Sequence, residues 1–72
     1  MELTPELRQQ LLNWQQSEIN GAHIYRHLAQ EMKEPGNQEV LQEIAQAEQR
    51  HYNLWRHYTK TEVKPQRHII SF

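Results

Sequence analysis

The sequence has no cysteine and no aspartate, and only two glycines and three prolines in 72 residues. Without cysteine there is no disulfide, no thiolate zinc site and no iron–sulfur cluster, and nothing to read about redox compartment. Without aspartate, all nine acids are Glu, which favours helix over turn. Apolar residues are also scarce, at 36% of the chain with a mean hydropathy of −1.03. No run approaches the ~20 apolar residues of a membrane span, and no signal-peptide pattern is visible. Eight Lys and Arg against nine Glu leave a net charge of −1, so there is no basic field to attract nucleic acid. Such a chain makes one small domain at most, expected in the cytoplasm. A core this small often needs a metal or a partner chain to be stable.

What is present is helix. In "LTPEL", Thr4 is a helix N-cap, Pro5 suits the first helical position, and Glu6 sits at the positive end of the dipole. Good helix formers then continue to Lys33, interrupted only by Gly21. "EPGNQE" stops the run: Pro35 disfavours helix at Glu34, Gly36 permits a turn, and Asn37 can cap a second helix. The expected fold class is all-α, an antiparallel two-helix hairpin with helices at about 5–33 and 38–59. Residues 1–65 form this unit, and 66–72 a C-terminal segment whose apolar ending, "RHIISF", reads as cut from a longer chain.

Both helices carry a stripe at bundle spacing. On the first, Leu7, Leu11, Trp14, Glu18, Gly21, Tyr25, Leu28 and Met32 alternate steps of four and three. On the second, Leu41, Ile44, Glu48, His51, Trp55 and Tyr58 do the same. These stripes are expected to be the packing seams, apolar except at Glu18 and at Glu48 with His51. Counted from the turn, Glu18 lies about 17 residues back and Glu48 and His51 about 12 and 15 forward, so all three fall within roughly 4–8 Å of one level. Buried carboxylates must be paired, protonated or metal-bound. Gly21, beside Glu18, would leave room for an ion or a close partner helix.

Two readings of this trio stay open. One is a hydrogen-bonded Glu–His network that fixes helix register. The other is a metal site, for which carboxylate and imidazole without thiolate suit iron, manganese or zinc. Carboxylate-bridged di-iron bundles take a Glu from each of two helices and a Glu-x-x-His from each of two others. This chain holds half of that set, and two copies about a two-fold axis would complete both the site and a four-helix core. Other groups are weaker. His23, His27 and Glu31, four apart, read as an exposed stripe, and Tyr25, Trp14, Trp55 and Tyr58 as packing. Arg50, Arg56, Lys60, Lys64 and Arg67 read as a solvated face. Ser17 and Ser71 lack a base and acid arrangement, and no Gly-rich loop cradles phosphate.

"SEINGAHIYRHLAQEMKEPGNQEVLQEIAQAEQRHYNLWRHYTKTEVKP" resembles the first helix pair of ferritin-like, rubrerythrin-type domains, most closely the version at the N-terminus of vacuolar-iron-transporter-like membrane proteins. Glu18 with "GAHIYRHLA", then "EIAQAEQRHY", then "VKP" carry the likeness. It implies a di-iron centre with Glu18, Glu48 and His51 as direct ligands, Glu48 able to bridge the metals, and ferroxidase oxidation of Fe(II) in iron storage or transport. Two irons per homodimer are implied, with zinc or manganese as substitutes. A full domain of that family carries a second Glu and a second Glu-x-x-His, which this chain lacks. Either it is a piece of a longer chain, or a two-helix protomer that builds its site across a dimer, as encapsulated ferritins do. The corresponding settings are a domain of a membrane-anchored protein or a nanocompartment.

Overall fold

The computed structural model describes residues 2–70. Ser71 and Phe72, the end of the C-terminal segment, lie outside the described residues. Two helices, α1 (Pro5–Glu31) and α2 (Pro35–Thr59), pack antiparallel, and a short 3-10 turn follows at Arg67–Ile70. No strand occurs among the described residues. Thr4 caps α1 as expected, its hydroxyl accepting from the Leu7 N–H at 3.1 Å, with Pro5 in the first turn. The turn is tighter than the sequence suggests: α1 stops at Glu31 rather than Lys33. Glu34, not Asn37, is the cap of α2, its carboxylate accepting from the Gly36 N–H at 3.1 Å. Pro35 explains the shift, because its fixed φ serves the first turn of a helix as well as it blocks the preceding residue. Lys60 ends α2 in the left-handed region at φ 53°.

The helix–helix seam differs from the expected one. Leu11, Gln15, Ile19, Ala22 and Ala29 are buried on α1, and Ala45, Tyr52 and Thr59 on α2. At 100° per residue these lines lie roughly a quarter turn from the apolar stripes. Leu7, Trp14, Met32 and Tyr58, expected in the seam, remain 40%, 43%, 37% and 41% exposed. The physical reason is size. Alanines at 22, 29 and 45 let the backbones approach closely, and Leu7, Trp14, Met32 and Tyr58 are left beside the contact rather than in it.

Residues after α2 turn back across α1 as a strap. Arg8 donates to the Thr59 carbonyl and the Thr61 hydroxyl, both at 2.7 Å, placing a cation on the unsatisfied end of α2. Fully buried Gln15 donates to the Thr61 carbonyl at 2.6 Å and accepts from the Thr59 hydroxyl at 2.7 Å. Tyr52 accepts from the Val63 N–H at 2.9 Å, and Val63 packs against Ile19, Ala22 and Tyr52. Gln16 and Asn20 hold Lys64 and Gln66. The strap covers the face of the hairpin opposite the apolar stripes.

Candidate metal centre

On the uncovered face, Glu18 comes from the middle of α1 and Glu48 and His51 from one turn of α2. One donor atom from each of the three lies within 4.8 Å of the others, the one such three-donor group among the described residues. His51 Nδ1 stands 3.3 Å from Glu18 Oε2. Apolar periodicity places this trio on the buried stripe. In the structure it sits at the edge of the helix contact, with the His51 side chain 58% exposed and that of Glu18 22%. The quarter-turn offset of the seam is the cause.

The two carboxyls crowd each other. Glu48 is pushed up from 4.5 to about 7, first by its hydrogen bonding to Glu18, then by partial burial and the Glu18 charge, with His51 opposing. A carboxyl pair that holds a proton between them is a site where a cation would take that proton's place. Two oxygen ligands and one imidazole, open to one side, are a fitting partial donor set for iron, manganese or zinc. The space beside Gly21, read from sequence as room for an ion or a helix, is filled by the Glu48 carboxylate itself. A β-carbon at Gly21 would lie 3.0 Å from Glu48 Oε2 and 3.2 Å from its carboxyl carbon.

Aromatic rings flank the trio. Trp14, one turn before Glu18, packs on Trp55, one turn after His51, with ring centroids 5.3 Å apart and planes tilted by 46°. The Trp55 indole N–H is buried without an acceptor among the described residues. By sequence both rings read as ordinary core, with no signal that they wall an open face.

The other sequence candidates stay apart. His23, Arg26, His27 and Gln30 line a separate shallow depression, and Glu31 is exposed beyond it. These residues bring no third ligand together. Tyr25 is half-buried, and Arg50, Arg56, Lys60, Lys64 and Arg67 are exposed. An open groove of about 650 Å³, lined by Arg26, Gln42, Ala45, Gln46, Gln49 and Arg50, contains none of the trio. No described helix is long and apolar enough to cross a membrane. Set against known proteins, the chain matches no family model, no curated protein and no solved structure.

Proposed function

We propose that the hairpin is half of a ferritin-like di-iron centre, completed when a second copy packs on the uncovered face. The convergence of Glu18, Glu48 and His51 within 4.8 Å carries this reading. Exposed Leu7, Trp14 and Tyr58, on the same helix stripes as the trio, support it, since they supply apolar surface for a second hairpin to bury. Two copies about a two-fold axis bring two Glu and two Glu-x-x-His, the full donor set of a carboxylate-bridged pair of metals.

Fe(II) is then the substrate. Two Fe(II) ions give one electron each to dioxygen, which takes up two protons and leaves as hydrogen peroxide, while the irons become Fe(III). The chain's own part would be to hold the ions together: Glu18 and His51 would fix each ion's position, and Glu48, hydrogen-bonded to Glu18, would be the carboxylate shared. In this role the domain would serve iron storage or transport.

Anaerobic Fe(II) titration with mass followed by light scattering tests the reading. Saturation near one iron per chain in a dimer, or a multiple of it, is the expected result. Glu48→Ala is expected to lose iron while keeping its mass; unchanged binding would sink the proposal. A second reading is favoured by one observation, that the trio already satisfies itself through the Glu18–Glu48 and Glu18–His51 contacts. On that reading it only sets the register of a helical dimer, and a chelator leaves the melting temperature unchanged, whereas a metal-linked fold loses stability. A silent zinc site would bind in the titration yet show no oxidation of Fe(II) in air.

A further inference from the structure

We infer that Gly21 is a positioning residue for the metal site: its missing side chain is the seat on which the Glu48 carboxylate rests. This rests on the metal reading above and adds to it the residue that sets where the shared carboxylate lies.

A glycine in mid-helix needs a reason, since Ala in the same place would favour the helix. Conformation is not that reason, because Gly21 lies inside α1 and no glycine among the described residues has a positive φ. Space is. A β-carbon at Gly21 would stand 3.0 Å from Glu48 Oε2, 3.2 Å from Cδ and 3.4 Å from Cγ. All three atoms belong to the outer part of one flexible side chain, so the conflict does not fall on the α2 backbone. The helices can stay where they are while the carboxylate moves. Glu18 is one turn away on the same helix, so the displacement acts directly on the spacing of the two carboxyls. Glycine at 21 thus trades helix propensity for a carboxylate seated close to the α1 backbone, within hydrogen-bonding reach of Glu18.

Gly21→Ala, Glu48→Ala and the double variant test this, with Fe(II) affinity measured anaerobically and melting temperature measured on the metal-free proteins. Gly21→Ala is expected to keep helicity and mass but to bind Fe(II) roughly tenfold or more weakly, the usual effect of disturbing a ligand's support. In the metal-free proteins, Gly21→Ala should not raise the melting temperature, whereas the same change in the Glu48→Ala background should raise it, because the obstacle is gone. Refolding only in the Glu48→Ala background would make the same point. Wild-type affinity in Gly21→Ala, with binding lost in Glu48→Ala, would overturn the inference alone. So would an equal rise in melting temperature in both backgrounds. Unchanged affinity in Glu48→Ala would instead remove the metal reading, and leave the melting comparison to judge the packing.

Discussion

The two faces of this hairpin solve the same problem in different ways. On the strapped face, buried polar groups are paired: Gln15 and Thr59 bond each other, and Gln15 also holds the Thr61 carbonyl. Short, specific contacts there cover a seam in which alanines sit among Leu11, Ile19 and Tyr52. The uncovered face has exposed Leu7, Trp14 and Tyr58, a Glu48 carboxyl whose pKa is raised by its bond to Glu18, and a buried indole N–H without an acceptor among the described residues. The difference is instructive about where stability and function lie. The strapped face is finished within one chain; in the proposed assembly a second copy covers the other.

The sharpest way to break that contrast is to charge the uncovered face. Trp14→Glu places a carboxylate against Trp55, outside the helix–helix seam. If a second copy covers this face, losing a central aromatic should weaken the dimer by about 2 kcal/mol or more, roughly thirtyfold. Light scattering should then report a monomer at concentrations where the wild type is dimeric, and iron uptake should fall with it. Gln49→Glu, on a different face, should leave the mass unchanged. Equal masses for wild type and Trp14→Glu would show that the uncovered face is not where copies meet.

On the strapped face the expected damage is to folding rather than assembly. Gln15→Ala removes both partners at once, leaving the Thr59 hydroxyl and Thr61 carbonyl without their bonds in a buried place. Unsatisfied buried groups of this kind cost about 2 kcal/mol, and in a chain of this length that lowers the melting temperature by roughly ten degrees. Iron bound per folded chain should not change, because Gln15 faces away from the trio. A loss of iron binding at full stability would mean that the two faces are not independent.

Much of the hairpin was legible because it depends on local rules. Thr4 with Pro5, and Pro35 after Glu34, mark helix ends by backbone chemistry that neighbouring residues cannot easily override. The seam was not legible in the same way. Hydrophobic periodicity follows the stripe that holds Leu7, Trp14, Trp55 and Tyr58, while the contact runs along Leu11, Ile19, Ala22 and Ala29 on one helix and Ala45 and Tyr52 on the other. Gln15 hid the true line further, since a fully buried glutamine reads as a surface residue until its partners on the strap are known. The strap itself has no periodic signature: it is fixed by side-chain bonds from Arg8, Gln15, Gln16 and Asn20 across more than 40 residues of sequence. Glu18, Glu48 and His51 were legible as a group because hairpin geometry sets heights from residue counts alone, whichever way each helix is rotated. Their exposure was not, since it depends on that rotation.

The smallest expected effect is a pH dependence, and it separates the carboxyl pair from the rest of the molecule. Glu48 holds its proton up to about 7 in the folded chain against an ordinary 4.5. Between those values the folded state keeps a proton that the unfolded state has released. Its contribution to stability is therefore full at and below about 4.5, is lost as the pH rises, and is gone above about 7. The side chain is only partly buried, so solvent moderates the effect, and a fall of a few degrees in melting temperature is expected for the metal-free protein. Other groups titrate in the same range, which makes the comparison with Glu48→Gln the decisive one, since glutamine keeps the hydrogen-bonding shape and cannot ionise. The wild type should lose stability relative to Glu48→Gln as the pH rises, and parallel curves would show that the pair holds no shared proton. Added Fe(II) should reverse the trend. A cation binds the deprotonated pair, so the stabilisation it gives should grow with pH until Glu48 is ionised. A trio that serves only as a register lock would show the first slope without the reversal.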